Sequence, residues 1–288
     1  MDHLPVIPFP VVTLGSFDGV HAGHRVIIGR LQTLAKQVAG SSVLITFHPH
    51  PRKVLYPETL GKELRLISSQ AEKIRLLEEC GLDHLIILEF TLDFARTSSD
   101  DFVKRYLVDM LHAHTIVVGF NHYFGHHREG SFDSLYKLRE NYGFEVEEIP
   151  MQEIHNETVS STKIRKALSE GNIQRANAYL EHYYMMMASP EPDPGLTAHY
   201  NQACFQILNR DPLKLLPPPG SYASSVQFGE NSLKGIVYIA SEELLFLPLD
   251  AISFPGRSDV IIRFHKCVSG GETLNPAHLL DTVRELIY

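Results

Sequence analysis

The sequence predicts an α/β protein in two parts, a parallel sheet wound with helices followed by a smaller β-rich domain. Three observations carry this. From Val11 to about Tyr184, short apolar runs alternate with helical patterns. After Met185–Gly195 the texture changes to short strands separated by proline and glycine turns. The chain has 288 residues, well above the roughly 150 of one ordinary domain, so two domains are expected.

In the first part, VVTLG, SVLITF, HLIILEF and TIVVGF are continuous apolar runs, the pattern of strands covered on both faces. Between them lie the helical patterns RVIIGRLQTLAKQV, SQAEKIRLLEECG and SSDDFVKRYLVDMLHA. Gly81 stands where the second helix needs a C-cap, and Ser98 or Ser99 precedes the acidic first turn of the third. Strand followed by helix followed by strand implies right-handed crossovers, with ligands beyond the carboxyl ends of the strands. Charged helix faces such as EKIRLLEE read as solvated surface.

The segment MMMASPEPDPG, Met185 to Gly195, concentrates proline and acidic residues and reads as a linker dividing 1–184 from 185–288. Beyond it, ACFQIL, SYASSVQF, GIVYIA, ELLFLPL and DVIIRF predict a small antiparallel barrel or sandwich. NPAHLLDTVRELIY, with Asn275 as N-cap and Pro276 at the first helical position, predicts a closing helix.

Composition narrows the function. With 44% hydrophobic and 21% charged residues the chain reads as soluble and globular, and its formal charge of -8 argues against a general nucleic-acid or anionic-membrane surface. No run approaches the ~20 apolar residues of a membrane span. MDHLPVIPFP has no basic region followed by a long apolar core, so the cytoplasm is the expected location. Cys80, Cys204 and Cys267 lie far apart without CxxC spacing, which suits neither a disulfide framework nor a cysteine zinc site.

The chemistry concentrates in LGSFDGVHAGHRVIIGRL, Leu14 to Leu31. Gly15 and Gly19 allow a tight turn and close approach to a ligand, and the helix that follows aims its unpaired N–H groups and positive dipole end there. That favours a phosphate. His21 and His24, three apart at the helix start, project to one side and can donate to phosphoryl oxygens as charge builds on them. Neither GxxxxGK[ST] nor GxGxxG occurs. The HxxH spacing also resembles a metal pair, and His48, His50, His122, His126 and His127 fall in predicted loops, but no acidic or cysteine third ligand stands at a regular offset.

GSFDGVHAGH, Gly15 to His24, resembles the HxGH signature of nucleotidylyltransferases, in the extended form of the bacterial bifunctional riboflavin kinase/FAD synthetases. Further segments resemble that family in its order: TFHPHPR from Thr46 to Arg52, RLISSQAEKIRLLEECGLD, VVGFNHYFGHHREGS, and VSSTKIRKALSEGNIQRAN from Val159 to Asn177. The resemblance implies a Rossmann-like HxGH nucleotidylyltransferase domain over 1–184. It implies transfer of AMP from ATP to the phosphate of FMN, giving FAD and pyrophosphate. By that resemblance His21 and His24 contact the ATP phosphates, within a nucleotide-binding turn of Gly15, Phe17, Asp18, Gly19 and Gly23. Ser160, Ser161, Thr162 and Arg165 hold the outer phosphates at a second helix start. Asn121, in a loop with Phe120, Tyr123 and Phe124, places the flavin side, and Mg2+ bridges the phosphates with few protein ligands. Lys163 and Arg165 oppose the dipole of their helix, which an anion there would relieve. His48 departs from the pattern, which carries an acidic residue at that place.

The resemblance gives 185–288 as a riboflavin kinase-like β-barrel. PPPGSYASSV, FPGRSDVIIRF and HLLDTVRELI resemble its strands and final helix. The family's GFPTAN phosphate loop has no counterpart between Met185 and Pro219; Glu242 or Glu243 could occupy the place of the family's kinase base, and no kinase site is assigned. The expectation is therefore an FMN adenylyltransferase whose kinase domain is degenerate. The alternatives are a non-catalytic flavin- or nucleotide-binding paralogue and a bifunctional enzyme with a diverged kinase loop.

Overall fold

The structure, a computed structural model, describes residues 5–120, 122–150, 153–154, 157–209, 211–240, 243–250, 259–271, 279 and 283–284. Residues 1–64 and 73–158 form one compact unit, and residues 65–72 and 159–288 a second.

The first unit runs β1 (Val11–Leu14), α1 (Ala22–Gln37), β2 (Ser42–His48), α2 (Pro51–Leu55), α3 (Gln70–Glu79), β3 (His84–Glu89), α4 (Ser99–Phe102), β4 (Thr115–Gly119), α5 (Phe132–Tyr142), β5 (Glu145–Ile149) and the short hairpin β6 (Glu153–Ile154) and β7 (Glu157–Thr158). The first three residues of α3 count with the second unit. Strands β1 to β5 make a parallel sheet in the order β3-β2-β1-β4-β5. The four apolar runs read from the sequence are β1 to β4. They are continuous because alternate residues serve opposite faces. Val12, Leu14, Val43, Ile45, Ile116 and Val118 pack one way with Phe102, Leu107 and Leu135, and Val11 and Val117 pack the other way with Leu31 and Ala35.

Helix ends follow the sequence signals. The Ser98 side chain accepts from the Asp101 amide to cap α4, and the helix continues with π-type bonding over Val103–Met110. Gly81, at φ 74°, closes α3, donating to the Glu78 carbonyl while Leu82 donates to that of Leu77.

The second unit contains α6 (Ser161–Ser169), α7 (Ile173–Leu180), β8 (Tyr184–Pro192), α8 (Pro194–Tyr200), β9 (Phe205–Asn209), β10 (Gly220–Phe228), β11 (Asn231–Ile239), β12 (Leu244–Pro248) and β13 (Val260–Gly270). The six strands close an antiparallel barrel in the order β10-β11-β12-β9-β8-β13, which decides between barrel and sandwich.

The stretch expected to be a linker is β8 and the start of α8. Its methionines, Met185 to Met187, pair with Arg263, Ile262 and Ile261 of β13. The prolines that suggested a linker, Pro190 and Pro192, lie past Ala188, where pairing with β13 stops and only β9 continues alongside. A strand flanked on one side tolerates residues without an N–H.

One buried polar cluster organises this unit. Lys214 Nζ donates to the carbonyls of Ile67 and Met185 and to Glu72 Oε2, each at 2.6 Å. The Glu72 carboxylate also accepts from the backbone amides of Ser69 and Met187. Of the expected closing helix, Leu279 and Val283 are helical and pack on the barrel cluster of Ala223, Ile236 and Leu245, while Asn275 and Pro276 lie outside the described residues.

Candidate active site

The order β3-β2-β1-β4-β5 reverses direction between β1 and β4, so the crevice beyond their carboxyl ends is where such a sheet places a ligand. Two of the segments singled out from the sequence leave the sheet there: Gly15–His24 follows β1 and Phe120–Gly130 follows β4.

The first segment is a compact, strained turn. The Gly15 amide donates to the Ile45 carbonyl, and a side chain at Gly15 would meet the Phe17 ring at 3.1 Å. Phe17 (φ 46°), Gly19 (φ 83°) and Val20 (φ 42°) all take left-handed backbone, a conformation that costs energy at Phe17 and more at the β-branched Val20. Phe17, Asp18, Val20 and His21 are buried. The turn delivers the chain into α1 with His21 as N-cap residue, its carbonyl accepting from the Arg25 amide. No acidic residue stands in the first turn of α1, so the positive end of that helix is not offset by its own carboxylates. Gly23, in that turn, keeps side-chain bulk away from the His21 ring.

The imidazoles form part of an aromatic stack. Phe17 lies on His24 at 4.3 Å and His24 on His21 at 3.6 Å between ring centroids. Burial, first, and then the positive charges of His21 and Lys73 hold the His24 pKa well below the usual histidine value. His24 is therefore a neutral imidazole at pH 7, with an enclosed Nδ1 that has no hydrogen-bond partner. A neutral imidazole is not a resident cation.

A further cation reaches the turn from α3. Lys73 of α3 is buried, and its Nζ donates at 3.1 Å to the Ser16 carbonyl and at 3.1 Å to Thr46 Oγ1. Thr46, wholly buried in β2, itself donates to the Ser16 carbonyl at 3.3 Å. Burial lowers the Lys73 pKa to about 8 against the opposing pull of Asp18. Reading EKIRLLEE as solvated surface thus fails at Glu72 and Lys73, both buried, because tertiary partners replace the water each charge would need. The signal available was the EK pair within the segment RLISSQAEKIRLLEECGLD.

After β4, Asn121 lies outside the described residues. Its neighbour His122 has an enclosed Nε2 with no hydrogen-bond partner among the described residues, and burial, with Arg128 adding to it, lowers its pKa to about 4. Phe124 packs into the core against Phe102 at 5.9 Å, and Gly130 is required opposite it, since a Cβ there would come within 2.7 Å of the Phe124 ring. Phe120 and Tyr123 are exposed in this loop, with the Arg128 guanidinium over Tyr123. His48 is exposed at the carboxyl end of β2.

Ser160, Ser161, Thr162 and Arg165 belong to the second unit. Ser160 is the N-cap of α6, accepting from the Lys163 amide, and the first turn again contains no acidic residue. Ile164, Ala167 and Leu168 bury one face of α6 while Thr162 and Lys163 stay exposed. Arg165 is oriented by its Nε, which donates to the Arg65 carbonyl at 2.9 Å. In the barrel, Glu243 is exposed just before β12 and Glu242 lies outside the described residues.

Comparisons with known proteins bear on the family and the fold. Residues 8–163 match the family model described as FAD synthetase. The chain is 30% identical over 264 residues to the bifunctional riboflavin kinase/FMN adenylyltransferase of Listeria monocytogenes, covering 91% of this chain and 81% of that one. It is 30% identical over 277 residues to the protein of that description from Pseudomonas fluorescens, covering 96% and 80%. A Listeria monocytogenes protein described as FAD synthetase is 35% identical over 174 residues, 60% of this chain and 68% of that one. A crystal structure described as a macrolide-efflux protein from Streptococcus pneumoniae superposes with a TM-score of 0.81 over 98% of this chain and 93% of that chain at 23% identity, and so shares the fold. Among the described residues no helix is long and apolar enough to cross a membrane. A parallel sheet with an HxGH turn at its switch point, joined to a riboflavin kinase-like barrel, places this chain in the FAD synthetase family of nucleotidyltransferases.

Proposed function

We propose that the protein transfers the AMP group of ATP to FMN, forming FAD and pyrophosphate, and that it does not phosphorylate riboflavin. The observation that carries the first part is the turn from Gly15 to His24, where a helix start without its own carboxylates, a buried ammonium and a neutral imidazole meet at the switch point of the sheet. In the reaction the FMN phosphate oxygen attacks the α-phosphorus of ATP in line and pyrophosphate leaves. No protein nucleophile is needed, so the chain's task is positioning and stabilisation of charge.

In this reading His21 and His24 donate to the phosphoryl oxygens on which charge accumulates. Gly15, Phe17, Asp18, Gly19 and Gly23 shape the nucleotide-binding turn. Ser160, Ser161, Thr162 and Arg165 hold the β- and γ-phosphates at the start of α6, whose first turn has no acidic residue of its own. Asn121 and Phe124 belong to the flavin side. Bound Mg2+ would supply further neutralisation of the triphosphate. Among the described residues no three histidine, cysteine, aspartate or glutamate side chains gather around one point. Such an ion would take most of its ligands from the nucleotide and water, as Mg2+ commonly does.

Residues 1–184 are assigned to adenylyl transfer and 185–288 to a riboflavin kinase-like scaffold, with the enzyme in the cytoplasm. The absence of kinase activity is supported by the segment between β8 and β10. It contains no GFPTAN-like stretch and instead forms α8, whose Leu196 and Tyr200 pack against the barrel cluster.

One assay tests both parts. ATP, Mg2+ and FMN should yield FAD and pyrophosphate, while riboflavin in place of FMN should yield no FMN. FMN binding without turnover would replace the first part with a non-catalytic flavin-binding role, and conversion of riboflavin would refute the second.

A further inference from the structure

Lys73 lies outside both histidine and serine motifs, yet it is the buried cation nearest in structure to the turn they define. Its ammonium carries three N–H donors. Two are spent on the Ser16 carbonyl and Thr46 Oγ1, which fix the group directly beneath the turn. The titratable groups that face it are Asp18 of the turn and His24 of α1, and the element packed against it from the sheet contributes the non-titrating Thr46. His24 is neutral, so Asp18 is the acid of the turn that faces this lysine.

We propose that Lys73 is a binding residue for the ATP triphosphate, its third N–H taking a phosphate oxygen at the start of α1 and its charge compensating the α-phosphate of the transferred AMP group. This rests on the adenylyltransferase reading for the identity of the ligand. Its pKa near 8 gives the proposal a readout that a purely structural lysine lacks. Bound phosphate stabilises the ammonium, so the nucleotide complex takes up a proton wherever free Lys73 is neutral. ATP affinity then falls above pH 8 by up to about tenfold per pH unit.

The test is calorimetric binding of Mg-ATP between pH 6.5 and 9.5 to the wild type, Lys73→Arg and Lys73→Met, with FAD formation measured in the same buffers. The wild type should show the alkaline fall. Lys73→Arg, always charged, should bind without it over this range. Lys73→Met should bind about 10- to 100-fold more weakly at pH 7 and show no pH dependence above that. The wild-type profile needs no variant to fold, and a flat profile overturns the assignment. So does a Lys73→Met protein that binds ATP like the wild type with the same alkaline limb. A wild type that shows the limb but makes no FAD refutes the transfer reading and leaves Lys73 in place. One that makes FAD with a flat limb refutes Lys73 alone.

Discussion

His21 and His24 lie face to face, ring centroids 3.6 Å apart and planes within 15° of parallel. Two imidazolium ions do not share that spacing in a buried site, so the arrangement keeps His24 neutral while presenting both rings at the head of α1. If His24 donates to the phosphoryl group in the transition state, His24→Ala should lower kcat for FAD formation on the order of 100- to 1,000-fold. Circular dichroism should show the fold intact, because the ring removed belongs to the site and not to the sheet core. A variant retaining more than a tenth of wild-type kcat would remove His24 from its assigned role.

The His122 imidazole is buried neutral, and its pKa of about 4 lies below the ordinary 6.5. The unfolded chain therefore binds this proton first as pH falls. Stability is full above about pH 6.5 and is lost between there and about 4, by roughly 3 kcal/mol at most. His122→Leu cannot take up the proton. Its Tm should decline less than that of the wild type between pH 6.5 and 4, measured by calorimetry side by side. Parallel curves would show that His122 does not couple folding to acid.

The sequence reading succeeds and fails for physical reasons. Strands β1 to β4 were legible because burial on both faces leaves an unbroken apolar run. Strand β5 was not, because it is an edge strand whose EVEEI alternates half-exposed valine with glutamates, one of them held by Arg30 at 2.6 Å. Strand β8 hid behind prolines that its one-sided pairing tolerates. The glycine–histidine turn was readable because its chemistry is local. Glu72 and Lys73 were not, because the partners that make their burial tolerable are distant in the chain, Lys214 by 142 residues and Thr46 by 27.

Glu72 and Lys214 give a direct measure of such a pair. Both side chains are almost wholly excluded from solvent, and each satisfies backbone groups as well as the other. Lys214→Met should leave a buried carboxylate uncompensated and destabilise the protein by about 3–5 kcal/mol in urea unfolding. Adding Glu72→Gln should recover part of that loss, since the glutamine carries no charge and still offers an acceptor. Single and double variants of equal stability would mean that the pair's charge is not what the site requires.

The start of α6 has Lys163 and Arg165 against a helix dipole that their charges oppose, with no acidic residue in the first turn to compensate. An arrangement that is unfavourable alone becomes favourable when an anion binds. Pyrophosphate, the product of the proposed reaction, should therefore raise the Tm, by the equivalent of about 2.7 kcal/mol at a hundred times its Kd. Arg165→Ala should lose most of that shift. Arg165→Lys, which keeps the charge and forfeits the Nε–H that donates to the Arg65 carbonyl, should keep part of it. Ser160→Ala should lower the Tm of the free protein through loss of the N-cap, about 1 kcal/mol, and should also reduce the pyrophosphate shift, since Ser160 is assigned to the outer phosphates. A pyrophosphate shift that survives Arg165→Ala intact would place the outer phosphates elsewhere.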